Sequence, residues 1–188
     1  MKKYELTTET LQFAGRTLHR IKAVKDFDSI KAGEFGGWIE NEKNLSQDDN
    51  AWIYDDAMVF DNAKIFGNAK VYGNANVSGN ANVFGYANVS DDAKVYGNAK
   101  VYGNAAIKGD AKVHDAVDYI VFKNFWSSGR YFTWTSSNNK WSVGCFYGTG
   151  EELIKKAYAD SEKSGREYER VVRYVESILA DEKKEKSN

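Results

Sequence analysis

The feature that most constrains this chain is a six-residue repeat. From residue 50 to residue 115 the pattern Asn/Asp-Ala-x-Val/Ile-x-Gly/Asp recurs about eleven times without an insertion. Clear copies run from Asn62 to Gly67 and from Asn98 to Gly103. A unit this short has room for one strand and one bend, but not for a helix and its loop.

The order of residue types within each unit predicts which side chains point inward. Alanine and valine or isoleucine alternate with polar or variable residues, which is typical of a strand with one buried face. The two residues between strands are Gly-Asn, or substitutes such as Asp55-Asp56 and Asp91-Asp92, and all suit a tight corner. Three units close a triangular coil of about 18 residues, and coils stack at roughly 4.8 Å. The repeat therefore predicts a mainly β protein built on a short parallel β-helix of fewer than four coils.

One corner position departs from the pattern. Asparagines at equivalent corners are expected to join their side-chain amides from coil to coil, as in other in-register stacks. Tyr86 stands where asparagine or aspartate is expected. We interpret it first as a tolerated exposed aromatic residue, and the alternative is a contact residue for a partner.

The repeat resembles the hexapeptide-repeat left-handed β-helix proteins, and the left hand is implied by that resemblance. The segment Phe35-Gly36-Gly37-Trp38-Ile39-Glu40, followed by Asn44-Leu45-Ser46, is similar to a narrower group found in phages and prophages of Gram-positive bacteria. Proteins of that group are usually labelled hypothetical or polymer-forming. The resemblance thus implies a fold and a phage context, but little chemistry.

The two ends of the chain are predicted to cap the β-helix, because an open stack exposes strand edges and the end of its core. Residues 1–49 form the predicted N-terminal β cap, with two short strands, one of them over Thr17–Val24, and a glycine-rich turn around residues 33–37. Residues 50–115 are the repeat. Residues 116–188 are predicted to form a small α+β domain.

Within the C-terminal domain, three apolar segments at 119–122, 130–135 and 141–146 predict a three-stranded antiparallel meander. The spacing Thr149-Gly150-Glu151-Glu152 predicts a capped helix that begins near Glu151. A second helix is expected after Gly165, with an apolar stripe that packs on the meander. The charged tail from residue 181 is expected to fray.

Composition excludes several function classes. The net charge of −1 gives no overall attraction to nucleic acid or acidic lipid, and no apolar run approaches the roughly 20 residues that span a bilayer. The single cysteine, Cys145, excludes an internal disulfide and is expected to be a buried small hydrophobe. With no apolar leader after Met1, we predict a cytoplasmic protein.

The residues offer little for catalysis or cofactors. His114 occupies an outward position in the last unit, and His19 lies in the predicted cap. Either histidine is a candidate base, but the repeat lacks the loop that hexapeptide acyltransferases generally extend from a coil. One cysteine and two distant histidines give no metal-ligand spacing, and no nucleotide-binding glycine loop is present. We predict no cofactor, no metal and no catalytic residue.

Two surfaces are candidates for binding. With an 18-residue coil, Phe66, Phe84 and Tyr102 are predicted to form one outward column, which either stabilises neighbouring coils or serves as an interface for a second copy or another partner. The second surface is the C-terminal meander, where aromatic and cationic residues crowd around the turns. Its candidate partner-binding residues are Trp126, Arg130, Tyr131 and Lys140.

These observations favour a non-catalytic interaction protein. The hypothesis is a homodimeric scaffold whose C-terminal domain binds a host protein or ribonucleoprotein, without contacting membranes and without nucleic acid as its direct partner. The resemblance to phage proteins extends this to inhibition of a bacterial defence system, as in anti-CRISPR inhibition. One alternative is a hexapeptide-type acyltransferase, which requires a trimer and a cleft at His114. Another is a structural protein that self-assembles end to end, which the caps oppose.

Overall fold

The computed structural model of the chain describes residues 2–185 and is mainly β, with two α-helices near the C-terminal end. The N-terminal strands are β1 (Tyr4–Phe13), β2 (Arg16–Ala23) and β3 (Phe35–Ile39). The repeat strands are β4 (Trp52–Ile53), β5 (Met58–Val59), β6 (Lys64–Ile65), β7 (Lys70–Val71), β8 (Asn76–Val77), β9 (Asn82–Val83), β10 (Asn88–Val89), β11 (Lys94–Val95), β12 (Lys100–Val101), β13 (Ala106–Ile107) and β14 (Lys112–Val113). The C-terminal elements are β15 (Tyr119–Lys123), β16 (Tyr131–Thr135), β17 (Lys140–Val143), β18 (Phe146–Gly148), α1 (Gly150–Asp160) and α2 (Glu162–Glu185).

The repeat winds into the predicted left-handed β-helix, and it has about four coils where the repeat alone predicted fewer than four. Strands 18 residues apart pair in parallel, as Lys64 does with Asn82 and Asn82 with Lys100. These pairings form three faces, which we call face A (β5, β8, β11, β14), face C (β6, β9, β12) and face D (β4, β7, β10, β13). Every inward alanine, valine and isoleucine of the repeat is at most 1% exposed, so the predicted alternation is confirmed.

The corners show why glycine and aspartate are interchangeable there. Asp55 and Asp91 have φ angles of 52° and 62°, in the left-handed region that the repeat's corner glycines also occupy. The Asp91 carboxylate accepts a hydrogen bond from the backbone N–H of Gly109, one coil further on, at 2.9 Å. Asp55 does the same for Gly73 at 3.1 Å. These aspartates are therefore corner residues that also join successive coils.

The N-terminal end of the β-helix needs hydrogen-bond donors. Backbone N–H groups point toward the following coil, and β3 donates to the first-coil carbonyl groups on face A, so the carbonyl groups on the other two faces need donors from the cap. The buried Lys3 amine donates to the carbonyls of Asp49 and Ala51 at 2.9 and 2.8 Å. The buried Asn44 amide donates to Ala63 O at 2.9 Å, and the Tyr4 hydroxyl donates to Leu45 O at 2.7 Å. Side chains of the cap thus complete the first coil.

The predicted strand over Thr17–Val24 is confirmed as β2, whereas the role of the glycines differs from the prediction. Strands β1 and β2 have 10 and 8 residues and form one long hairpin, which adds to face A through β3. Gly36 and Gly37 lie inside β3, not in a turn. A Cβ on Gly37 would lie 2.5 Å from the carbonyl oxygen of Ala57. Their small size lets β3 pack against the first coil.

The C-terminal end needs acceptors for the opposite reason, since its backbone N–H groups have no further coil to bond. Ala106 N–H donates to the Thr133 hydroxyl at 2.9 Å, and Lys112 N–H donates to the Ser137 hydroxyl at 2.7 Å. The Asp118 carboxylate accepts from the backbone N–H of His114 at 2.7 Å. The polarity of the parallel strands therefore dictates a donor-rich cap at one end and an acceptor-rich cap at the other.

The C-terminal meander has four strands, so the prediction of three was wrong. The third predicted segment turns at Gly144, whose φ of 58° suits a tight hairpin, and β17 pairs with β18 across it. Cys145 consequently lies exposed in that turn, and the prediction that it is buried was also wrong. Tyr119 and Val121 pack against the β-helix core. The opposite face of the meander supplies Phe132, Trp134, Trp141 and Val143 to a second core with the helices.

The two helices form the outer layer. Thr149 caps α1, because its hydroxyl accepts from Glu152 N–H while the Glu152 carboxylate accepts from Thr149 N–H, as predicted. Helix α2 begins at Glu162, before the predicted start at Gly165, and extends to Glu185, beyond the predicted fraying point; residues 186–188 of that tail lie outside the described residues. Neither helix in the described part is long and apolar enough to cross a membrane.

Candidate functional site

The predicted aromatic column lies on face C. Phe66 and Phe84 stack with ring centroids 4.9 Å apart and planes 2° from parallel, and Phe84 and Tyr102 stack at 5.3 Å and 13°. Tyr102 is 53% exposed and Phe66 is 36% exposed. We call these three residues the aromatic column. The rings bury their facing surfaces against one another, while their outer edges remain exposed to solvent.

The four candidate residues of the C-terminal domain do not form one cluster. Arg130 and Tyr131 lie at the start of β16 and line a groove beside face D. Lys140 lies at the other end of the meander, because it pairs with Thr135 at the end of β16. Trp126 lies in the β15–β16 turn and lines a different groove against α2. Sequence analysis predicted one surface for these four residues, but the structure places them at three separate locations.

The groove beside face D combines β-helix and meander residues. It has a volume of about 380 Å³, and its lining includes Tyr72, Tyr86, Asn88, Lys108, Arg130 and Tyr131. The Lys108 amine donates to the Gly144 carbonyl at 3.3 Å and ties the coil to the β17–β18 turn. We call this cavity the face D groove. Sequence analysis missed Tyr72, Asn88 and Lys108, although the 18-residue spacing places all three on one face.

A second exposed aromatic site joins the predicted Trp126 to Phe125, which sequence analysis missed. Phe125 and Trp126 are 72% and 53% exposed and stack on each other at 4.2 Å. The buried Asn124 side chain holds their turn, since its oxygen accepts from the backbone N–H groups of Trp126 and Ser127. A neighbouring groove of about 410 Å³ includes Tyr174 of α2. The sequence does not distinguish these exposed rings from the buried rings of Phe132 and Trp134 nearby, whereas the structure does.

The histidines give limited support to catalysis. His114 points outward as predicted, and its Nδ1 lies 2.5 Å from a carboxylate oxygen of Asp115. Its ring contacts Tyr96 edge to face at 5.2 Å. His19 is half-buried on β2, with Nδ1 3.4 Å from the Thr7 carbonyl oxygen. The two histidines therefore lie in different elements and have separate partners.

Several ionisable groups near the ends of the β-helix have shifted pKa values, and Lys3 and Tyr119 represent the two ends. Burial lowers the pKa of Lys3 to about 8, although Asp49 opposes the shift. Burial also raises the pKa of Tyr119, whose hydroxyl donates to Lys100 O at 2.8 Å. Both groups bond backbone atoms of the coils, so these shifts belong to the caps. Among residues 2–185, no three His, Cys, Asp or Glu side chains are grouped to hold a metal ion.

Comparison with known proteins gives a partial match. The chain is similar to the Escherichia coli (strain K12) protein named uncharacterized acetyltransferase YdcK, with 39% identity over 62 residues. The match covers 29% of this chain and 19% of that protein, so the chain spans about a fifth of the relative's length. Sequence models of known protein families give no match. With the structure, the similarity identifies the repeat as a hexapeptide-repeat left-handed β-helix.

Proposed function

We propose that this chain is a non-catalytic binding protein, in which the β-helix is a rigid scaffold and dimerisation face and the C-terminal domain binds a host macromolecule. The observation that carries the proposal is the aromatic column. Its three rings stack in an outward row, and Tyr102 is half exposed. A row of exposed aromatic edges on a flat, rigid face favours burial against another protein surface.

A second copy of the chain is the occupant that fits this face. The lysines Lys64 and Lys100 run beside the aromatic column at the outward position two residues earlier in each unit. A two-fold axis parallel to the β-helix, through the aromatic column, pairs each ring with its own counterpart. It also places the two lysine rows at opposite margins, so that like charges do not face each other.

The dimer is tested by co-purification of two differently tagged copies of the full chain. We expect wild-type copies to co-purify and Phe84→Asp copies to separate, because a charge at the centre of the aromatic column cannot be buried without a partner. Asn82→Asp is the matched control, since it adds the same charge at the neighbouring outward position. Co-purification that survives Phe84→Asp contradicts the proposed face.

The finer proposal is that the target belongs to a bacterial defence system, as in anti-CRISPR inhibition. It is supported by the sequence resemblance to phage and prophage proteins, and by exposed aromatic and arginine side chains in the C-terminal domain. Capture of a defence complex from host lysate by the wild-type chain, with loss of capture by Arg130→Ala, is the expected result. Equal capture by both chains excludes Arg130 from the interface.

Acyl transfer is the second candidate function. The partial similarity to a protein named as an acetyltransferase favours it, and the close approach of His114 to Asp115 supplies a candidate base. Isothermal titration with acetyl-coenzyme A separates the two functions. Binding to the wild-type chain, with acetyl transfer lost in His114→Ala, would establish an enzyme. Absence of binding favours the non-catalytic proposal.

A further inference from the structure

One corner of the β-helix lacks the continuous side-chain amide ladder that another corner keeps. Asn62 donates its amide to Asn80 at 3.2 Å, and Asn80 donates to Asn98 at 3.1 Å, so this corner has a continuous amide ladder. At the corner that leads into face D, Asn50 donates to Asn68 at 3.1 Å, and the ladder then meets Tyr86. A tyrosine ring cannot continue the chain of amide hydrogen bonds.

Tyr86 gains little burial in place of the lost hydrogen bond, because it is 63% exposed. A position that breaks the local rule of a fold, without a packing gain, is where a functional residue is expected. Tyr86 lines the face D groove, together with Tyr72 and Tyr131. The exceptional residue of the repeat is therefore placed beside a cavity.

The charged residues that line the face D groove are all positive. Its lining includes the cations Lys108 and Arg130 and no aspartate or glutamate. Arg130 forms no ion pair with any residue between 2 and 185. Its side chain runs beside Gly144, where an added Cβ would lie 3.6 Å from the Arg130 Cδ. A positioned guanidinium without a carboxylate partner suits an anionic ligand.

The Asn88 side-chain amide also lines the face D groove and offers a ligand more than positive charge. The Asn88 amide nitrogen donates to the Tyr86 carbonyl at 3.1 Å, which leaves the side-chain oxygen of Asn88 as an acceptor. A ligand here can therefore use N–H donors as well as negative charge. A peptide supplies both, whereas a phosphodiester strand is held mainly by a longer track of cations than the two found here.

We propose that the face D groove binds an acidic, extended peptide segment of the partner, with Arg130 and Lys108 facing its carboxylates and Tyr86 packing on its backbone. The proposal rests on the proposed function in one respect, since Arg130 and Tyr131 are candidate residues of both. It adds the chemical class of the segment that is recognised. It also extends the site from the meander onto the β-helix.

The test uses the full chain and three fluorescein-labelled probes at low salt: hexaglutamate, hexalysine and hexathymidylate. We expect saturable fluorescence anisotropy changes with hexaglutamate and about a tenfold weaker affinity in Tyr86→Asn and in Arg130→Ala, which corresponds to the loss of one good contact. Tyr86→Asn restores the repeat pattern and the amide ladder, so it cannot act by unfolding the coil. Lys94→Ala, a cation on face A, is the control and is expected to leave the affinity unchanged.

Three results would overturn the peptide proposal. They are no saturable binding of hexaglutamate, equal affinity in the wild-type chain and Tyr86→Asn, or tighter binding of hexathymidylate than of hexaglutamate. None of these depends on capture of a host target or on co-purification of two copies. Failure of the face D groove is therefore distinguishable from failure of the proposed function.

Discussion

The β-helix and the C-terminal domain obey different rules, although they share one continuous chain. In the β-helix each position has a fixed role that recurs every six residues, so Val83 is inside and Asn82 is outside for the same reason as their counterparts in other coils. In the C-terminal domain no sequence pattern repeats, and two tryptophans in neighbouring segments differ in exposure: Trp126 is 53% exposed and Trp134 is 3% exposed. Periodicity therefore predicts burial in one region, while long-range contacts decide it in the other.

The largest effect is expected from a substitution that breaks the alternation of buried and exposed residues in the β-helix. Val83→Asp places a carboxylate where the side chain is fully buried in the middle coil. We expect a loss of more than about 4 kcal/mol in the free energy of unfolding, because the charge has no buried partner. Circular dichroism melts measure it. The neighbouring Asn82→Asp change adds the same charge outside and should shift the melt little. Similar melts for the two variants would show that the alternation does not hold.

A smaller effect concerns the cap that joins the N-terminal strands to the first coil. Because burial holds the pKa of Lys3 at about 8, the folded chain releases this proton above pH 8 while the unfolded chain keeps it up to about pH 10. The unfolded state then binds more protons, so the free energy of unfolding rises with pH, by about 3 kcal/mol over this window. Burial also raises the pKa of Tyr4, so stability falls again above about pH 10.

The comparison for this pH dependence is Lys3→Met, measured by urea denaturation at several pH values. The variant should be less stable at every pH and should lack the rise. Lys2→Met, at an exposed position, should keep the rise. A wild-type curve that is flat between pH 8 and about pH 10 would mean that Lys3 is not buried as its contacts indicate.

A contact unique to the C-terminal domain gives the next effect. Gly165 lies inside α2, and a Cβ there would lie 2.2 Å from the Tyr158 ring of α1. Alanine is the better helix former by about 1 kcal/mol, yet we expect Gly165→Ala to destabilise the domain by about 2 kcal/mol, because the two helices must separate. Denaturation followed by tryptophan fluorescence reports the change. The double variant with Tyr158→Ala should recover stability, and a stabilised single variant would contradict the close approach.

The smallest effect compares two corners of the β-helix. Asn80 both accepts and donates in its amide ladder, whereas the ladder of Asn68 ends at Tyr86. We expect Asn80→Ala to cost about 1 kcal/mol and Asn68→Ala about half of that, because Asn80 loses two hydrogen bonds and Asn68 loses one, at roughly 0.5 kcal/mol net for each bond. Thermal melts of the two variants provide the comparison. Equal losses would indicate that Tyr86 does not interrupt its ladder.

The fold could be predicted from the sequence to the extent that it is periodic. Alanine and valine positions, corner aspartates and the Thr149 capping box all depend on neighbours six residues away or fewer. The aromatic column followed from the 18-residue coil alone. These features are local or periodic, so a single sequence contains the information that determines them.

The remaining features depend on contacts between distant segments. Gly36 and Gly37 were interpreted as a turn, since nothing nearby in the sequence shows that the first coil packs against them. Gly165 was interpreted as a helix start for the same reason. The candidate residues Arg130 and Lys140 are ten positions apart, and the antiparallel pairing of β16 and β17 places them at opposite ends of the meander. The face D groove joins residues 72 to 144 and has no local signature.

Sedimentation equilibrium of the wild-type chain and of Phe84→Ser tests most directly whether the aromatic column is an interface. Ser78 and Ser90 occupy the equivalent outward position on the other two faces, so the variant remains within the repeat pattern. We predict a wild-type dimer, and a Phe84→Ser monomer whose melting temperature falls by only a few degrees, because the two stacked pairs that are lost contribute about 0.2 to 1 kcal/mol each. A monomeric wild-type chain, or a variant that stays dimeric, would contradict the proposal and leave the column as internal reinforcement of the coils.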